Sequence, residues 1–294
     1  MNRRHVKSLE LINLPALMER TEGRPEMVIG LIDGPVASSC PGLAGERIRV
    51  IPGDGTSECV HADSMACQHG TFVAGILLAQ RGSVAPAICP ACTLLVRPVF
   101  SEVKTRREQM PSATLESLAE AIVECMAAGA RLLNLSLALV HQSRRGESAL
   151  TAALNDAARR GVLLVAAAGN QGTVGGSLIT RHPWIVSVTA CDLAGRPMPQ
   201  SNLGRSIGQH GLSAPGDAIS SLDSDGKPLV MSGTSVAAPL VTGAIALLWS
   251  EFPNATAAAV RLAIARSAAV RRTSVAPPLL NAWGAYRLLQ DARL

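Results

Sequence analysis

The sequence predicts an α/β fold in which a mostly parallel central sheet is covered by helices on both faces. Three observations predict it: short continuous apolar runs, segments of helical periodicity between them, and polar residues at the carboxyl ends of the runs. The first run, from Met27 to Ile32, ends at Asp33-Gly34-Pro35. Strands buried on both faces of a parallel sheet read as such uninterrupted runs, because neither face meets water. A small-residue helix is expected over 70–80 and a second strand from Thr93 to Phe100. Ser112 to Ala128 reads as a helix. Its Leu115, Leu118, Ala119, Ile122 and Met126 share one face, Ser112 or Thr114 can cap its start, and Gly129 ends it. Leu132 to Leu139 is a strand, Ser148 to Arg160 a helix closed by Gly161, and Val162 to Ala168 a strand that stops at Gly169-Asn170. Beyond residue 184, short strands are expected from Ile185 to Ala190, Gly211 to Pro215 and Lys227 to Met231. A small-residue helix follows from Thr234 to about Trp249, and a last helix from Thr256 to Ser267.

Length and composition bound the function. A chain of 294 residues suits one sizeable domain, expected over residues 26–294 after a helical lead-in of residues 1–25. The net charge of +5 is scattered in pairs such as Arg106-Arg107 and Arg271-Arg272 without interleaved aromatics, which argues against nucleic acid as a partner. No apolar stretch follows the basic start and charges interrupt every apolar run, so neither a signal peptide nor a membrane span is expected, and a cytoplasmic location follows. Seven cysteines cannot all pair with one another, and most are expected to be reduced in that compartment. Cys89 and Cys92 have the spacing of a metal or redox pair. No second such pair completes a four-ligand site, so a neutral structural role is expected, with a local disulfide as the alternative. No cofactor or metal is expected.

Four short segments carry chemistry: Leu31-Ile32-Asp33-Gly34, His69-Gly70-Thr71, Ala166-Ala167-Ala168-Gly169-Asn170 and Gly233-Thr234-Ser235-Val236-Ala237-Ala238-Pro239. Taken singly, each has a plain structural explanation. Asp33 can stabilise a turn, His69 can stand at a helix start, Ser235 can cap a helix, and Asn170 can fill a left-handed turn position. Together they form the order Asp, His, Ser, a constellation suited to nucleophilic catalysis. A serine hydroxyl needs a base to take its proton, an imidazole titrates near neutral pH, and a carboxylate orients and stabilises the imidazolium. His61 lacks the Gly-Thr that follows His69, and His141, His182 and His210 lack any such context.

On these segments the chain resembles the subtilisin-like serine peptidase family, from about residue 25 to about residue 268. The resemblance implies the family's three-layer fold and a triad of Asp33, His69 and Ser235. It also implies an oxyanion site made by the Asn170 amide and the Ser235 N–H. In the family an extended peptide adds as a strand to an edge, here Leu135-Ser136-Leu137, while Ala166 to Gly169, with Ala168 and Gly169 foremost, line the pocket for the residue before the scissile bond. Ala138 stands where the family usually has glycine, so its methyl is expected to narrow that pocket. The stretch Gln80 to Pro86 has no carboxylate, so no calcium is expected where relatives often hold it. Secreted relatives carry a long propeptide, for which Asp33 comes too early here.

The segments Thr180-Arg181-His182-Pro183-Trp184, Cys191-Asp192-Leu193 and Gln200-Ser201-Asn202-Leu203-Gly204 resemble the subtilisin-type maturation proteases of cyanobactin pathways, which cut ribosomally made precursor peptides. A peptide or protein substrate is therefore expected, with a ribosomal precursor peptide as the specific candidate. The short stretch between Asp33 and His69 leaves little room for the helical insertion with which some relatives cyclise their products, which favours hydrolysis. The alternatives are a transpeptidase using the same acylation, and a peptide-binding module that keeps the fold without the chemistry.

Overall fold

A computed structural model describes residues 3–43, 45–53, 58–100, 102, 113–136, 145–268 and 275–292. In chain order the helices are α1 (Arg3–Leu11), α2 (Pro15–Arg20), α3 (Met65–Leu78), α4 (Leu115–Ala127), α5 (Glu147–Arg160), α6 (Leu178–Arg181), α7 (Arg205–His210), α8 (Thr234–Glu251), α9 (Ala257–Arg266) and α10 (Ala282–Asp291). The strands are β1 (Val28–Asp33), β2 (Ile48–Val50), β3 (Thr93–Pro98), β4 (Leu132–Leu135), β5 (Leu163–Ala167), β6 (Val186–Cys191), β7 (Leu212–Pro215), β8 (Ile219–Leu222) and β9 (Pro228–Met231).

Seven strands form one sheet in the order β2-β3-β1-β4-β5-β6-β7, and every pairing in it is parallel. β8 and β9 form a separate antiparallel ribbon. Side chains alternate between two cores, as the pleat requires. Ile29, Leu31, Leu163, Val165, Val186 and Val188 face α3 and α8, whereas Ile32, Leu133, Leu164 and Ala166 face α4 and α5. The expected architecture of a parallel sheet between two helical layers is therefore present. The order also places a switch point at β1, where the chain winds to β3 on one side and to β4 on the other. In such sheets the crevice beyond the carboxyl ends at the switch point gathers function, and Asp33 is the last residue of β1.

α8 lies in the middle of one layer and is buried almost throughout. By length and apolarity it could cross a membrane, but 89% of it is buried inside the fold. The lead-in packs on the same core: Ile12, Leu14 and Leu17 are fully buried. At about 1.5–3 kcal/mol for each such side chain, that burial explains why α1 and α2 dock instead of trailing.

Several boundaries differ from the sequence expectation for local reasons. α3 starts at Met65, not near residue 70, because Ser64 caps it by accepting a hydrogen bond from the Cys67 N–H at 3.2 Å. Its apolarity on every side gave no periodic signal for a start, and His69 consequently sits inside the helix. The cap of α4 is Thr114, which accepts from the Ser117 N–H at 3.0 Å. β2 and β8 have no long apolar run to announce them, and α10 was not expected at all. Asn281 starts α10 by accepting from the Gly284 N–H at 2.8 Å. The loop expected to lack calcium carries Arg81, whose guanidinium donates to the carbonyls of Met18, Thr21 and Ile88 and so ties α2 to the end of α3.

Five cysteines are free and buried, but Cys59 and Cys67 form a disulfide that the sequence reading did not anticipate. Their Cα atoms are 5.5 Å apart, within disulfide reach. Cys89 and Cys92 are both free and lie in the core, where burial pushes the Cys89 thiol up.

The closest backbone approach at the switch point is between β1 and α3. A Cβ on Gly34 would stand 2.0 Å from the Ala66 carbonyl oxygen, and one on Gly70 would stand 2.5 Å from the carbonyl oxygen of Pro35. Neither backbone can yield without moving the sheet or the helix. Gly70→Ala should therefore lower the unfolding free energy by about 1–3 kcal/mol, the usual range for overpacking, as measured by urea denaturation. A wild-type midpoint would show that α3 does not pack this closely on β1.

Candidate active site

The order of strands and helices brings the four singled-out segments to the carboxyl end of the sheet. Asp33 ends β1, where its side chain is fully buried on the α3 side. Its Oδ1 accepts from the Gly34 N–H at 2.7 Å and lies 2.7 Å from His69 Nδ1. An ionised carboxylate can only accept, so His69 carries its proton on Nδ1 in this pair. The Gly-Thr after His69 explains itself at this point: Gly70 lets α3 touch the turn after β1, and Thr71 Oγ1 accepts from the Ala37 N–H at 2.9 Å, fixing that turn.

His69 is buried, and its Nε2 has no hydrogen-bond partner among the described residues. Burial opposes the charged imidazolium, but the negative charge of Asp33 and its hydrogen bond outweigh that and raise the His69 pKa. Asp33 Oδ2 is likewise buried without a partner among the described residues.

Ser235 is the second residue of α8, half-buried, after the glycine that precedes the helix. Gly233 holds φ +134°, a conformation that disfavours any side chain, and a Cβ there would sit 2.9 Å from Asn170 Nδ2. Among the first N–H groups of α8, that of Thr234 donates to Asn170 Oδ1 at 2.9 Å and that of Val236 to the Gly233 carbonyl at 3.2 Å. The Ser235 N–H, in the first turn, has no intrahelical acceptor. Thr234 Oγ1 adds a bond of 3.1 Å to Asn170 Oδ1 and accepts from the Gly169 N–H at 3.1 Å. With Asn170 Oδ1 held by two donors, the amide nitrogen is the group left to face a ligand.

The structure thus pairs Asp33 with His69, and separately joins Asn170 to the turn of Ser235. It forms no hydrogen bond between His69 and Ser235, since Nε2 is unpartnered. Such contacts are often long before substrate binds. α3 and α8 pack against each other, so the two halves belong to one layer.

The placement of the substrate-edge residues needs one correction. Leu135 pairs on both sides, with Ile32 and with Ala166, so it is interior to the sheet and cannot offer a free edge. An edge can begin only at Ser136, where pairing ends; Leu137 and Ala138 lie outside the described residues. Ala168 and Gly169 are buried next to Asn170, the former donating its N–H to the Val188 carbonyl at 2.9 Å.

Three contributors escaped the sequence reading. Thr234 lies inside the Gly233–Pro239 motif, where the sequence gives it no evident role. Asn134 is a fully buried polar residue in an apolar strand, and that interruption was its signal. It donates from Nδ2 to Ser136 Oγ at 2.6 Å and accepts from Thr242 Oγ1 of α8 at 2.7 Å, locking β4 to the helix that carries Ser235. Asn202 holds the Asn170 loop, and in the sequence it stands only inside a segment that resembles the maturation proteases.

Of the other histidines, His61 lies in a loop whose N–H groups are held by Glu102, and His182 lies near Asn155, 3.3 Å away, where burial and then the charge of Arg261 lower its pKa. His141 is outside the described residues. The one described group with metal-ligand spacing is Cys59, Cys67 and Glu102, and the disulfide removes the thiolates that a metal needs. A cavity of about 610 Å³ lined by Val186, Leu212, His210 and Arg261 opens at the amino ends of β6 and β7, away from Asp33 and Asn170.

Comparison with known proteins places this geometry in context. The model of the Subtilase family matches residues 25–285. A thermostable alkaline protease of Halalkalibacterium halodurans is 32% identical over 201 residues, covering 68% of this chain and 52% of its own length. Mycosin-3 of Mycobacterium tuberculosis is 29% identical, covering 91% and 68%. This chain thus spans about half the length of the first of these relatives. Among solved structures, the patellamide maturation protease PatA superposes with a TM-score of 0.77 at 32% identity, covering 92% of this chain and 98% of that one. The prenylagaramide maturation protease PagA does so with 0.81 at 27% identity, covering 94% and 98%. The PatG macrocyclase, at 23% identity and 0.82, shares the fold. With its matched span running from before Asp33 to beyond Ser235, the chain belongs to the Subtilase family.

Proposed function

We propose that the chain is a serine endopeptidase that cleaves peptide bonds through an acyl-enzyme on Ser235, with a ribosomally made precursor peptide as its substrate. The observation that carries the reading is the buried Asp33–His69 bond at 2.7 Å, which orients an imidazole whose other nitrogen has no partner among the described residues. Buried polar atoms are mostly paired, and an imidazole nitrogen left free of side-chain partners suits a group that takes and returns a proton. The likeness to PatA and PagA, both maturation proteases, supports the choice of substrate class.

Each group then has a task. The Ser235 oxygen attacks the scissile carbonyl as His69 Nε2 takes the hydroxyl proton. The charge that forms on the carbonyl oxygen is met by the Ser235 N–H, at the positive end of α8, and by Asn170 Nδ2. His69 returns the proton to the departing amine. Water then repeats the cycle on the ester, releasing the acid and restoring the serine. Asp33 stabilises the imidazolium in each half.

The raised His69 pKa sets the pH dependence, with opposite signs for activity and stability. Only neutral His69 can accept a proton, so kcat/KM should rise with pH through a midpoint above the ordinary histidine value of about 6.5. The pair's contribution to stability is complete below that ordinary value and fades as pH rises through the folded pKa. A pH–rate profile with its lower midpoint below 6 would contradict this assignment.

A fluorophosphonate probe should label the wild type and leave Ser235→Ala unlabelled. An unlabelled but correctly folded wild type would favour a peptide-binding module instead. Mass spectrometry of the products separates hydrolysis from transpeptidation, since linear acids are expected and rings or new amides would reassign the reaction. Asn170→Ala should lower kcat by about 10²–10³ with KM nearly unchanged; a change confined to KM would move Asn170 to substrate binding.

A further inference from the structure

Asn170 is exposed, and among the described residues its side chain bonds to Thr234. What fixes the backbone on either side of it is Asn202, a residue to which the sequence reading gives no role at the site. We infer that Asn202 is a positioning residue for the oxyanion donor Asn170, an inference that rests on the serine-peptidase reading above.

Every polar atom of Asn202's side chain and its backbone N–H are spent on the stretch around Asn170. Before Asn170, Nδ2 donates to the Ala168 carbonyl at 3.2 Å and the backbone N–H donates to the Gly169 carbonyl at 2.9 Å. After Asn170, Oδ1 accepts from the N–H groups of Gln171 at 3.0 Å and Thr173 at 3.1 Å and from the Thr173 hydroxyl at 3.1 Å, while Nδ2 donates to Gln171 Oε1 at 2.6 Å. The amide plane of Asn202 thus bridges the loop beneath Asn170. The fit is tight: Gly169 holds φ +108°, and a Cβ there would lie 2.3 Å from Asn202 Nδ2.

The support is itself anchored. Ser201 Oγ accepts from the Ala190 N–H at 3.0 Å on β6, the Leu203 N–H donates to the Thr173 carbonyl at 2.9 Å, and the Gly172 N–H donates to the Gln200 carbonyl at 2.8 Å. A rigid path therefore runs from β6 through Ser201 and Asn202 to the loop. Only a short planar amide offers an acceptor to three donors on one side and a two-proton donor on the other. Aspartate keeps the acceptor half of this arrangement and loses the donor half; alanine loses both.

Of the groups released by Asn202→Ala, those of Gln171 and Thr173 are exposed, where water can satisfy them, and the Ala168 carbonyl is the one on a buried residue, so the fold should persist. The geometry of the donor should not. An oxyanion donor acts only at about 2.7–3.1 Å from the developing charge, and a misplacement of about 1 Å can cost 10²-fold in rate.

The test is a double-mutant cycle on a peptide that the wild type cleaves, with rates normalised to folded protein. Asn202→Ala should lower kcat by about 10- to 100-fold with KM changed only a few-fold. In the Asn170→Ala background the same substitution should lower kcat by less than about threefold, because its effect passes through the side chain already removed. Asn202→Asp, which keeps the acceptor half and sets a carboxylate oxygen against two acceptors, should recover only part of the loss. The inference is overturned if Asn202→Ala leaves kcat unchanged, if the two losses multiply, or if the loss vanishes on normalisation, which would mark Asn202 as a stability residue only. Failure of the underlying reading looks different: the wild type itself would show no Ser235-dependent turnover, and the inference would fall with it.

Discussion

The rest of this structure depends on how closely a strand and a helix can approach at the switch point of the sheet. Asp33 ends β1 and His69 lies in the second turn of α3, and their side chains meet at 2.7 Å because Gly34 and Gly70 present no side chain to the facing backbone. Thr71 then ties α3 to the turn after β1 through the Ala37 N–H. A larger residue at either glycine would separate the two elements by more than the tolerance of one hydrogen bond. The Asp-Gly and His-Gly-Thr segments are therefore two halves of one joint, and their chemistry follows from the packing.

A second joint sits on α8. Thr234 donates twice to Asn170 and accepts once from Gly169, so the strand end of β5 and the start of the buried helix hold each other. Asn134 and Thr242 fix the height of the helix against β4. These are buried or half-buried polar contacts in an otherwise apolar layer, where an unmade bond is costly and a made one selects a single arrangement. Nucleophile and oxyanion donor thus share one support, and base and carboxylate share another.

Much of this was legible in the chain. The apolar runs of β1, β4 and β5 and the periodic face of α4 announced a parallel sheet between helices. The Asp, His, Asn and Ser segments announced a site at its carboxyl end. α3 was misplaced by five residues because a helix apolar on all sides has no period to read, and Ser64, its cap, is a single residue in a polar loop. The strand residue Leu135 was assigned to an edge that pairing on both sides denies. The Cys59–Cys67 disulfide was missed because spacing alone does not fix which of seven cysteines meet.

Sequence by itself determined the residue types that acid–base and nucleophilic chemistry require, and the elements that carry them, since both are encoded locally in motifs and periodicity. Tertiary structure alone decided what surrounds them. That Asn202 clasps the loop of Asn170 from 32 positions away, or that Asn134 reaches Thr242 across 108 positions, depends on which chain segments lie side by side. Hydrogen bonds of a few tenths of an ångström in tolerance are set by that juxtaposition, and no local pattern records it.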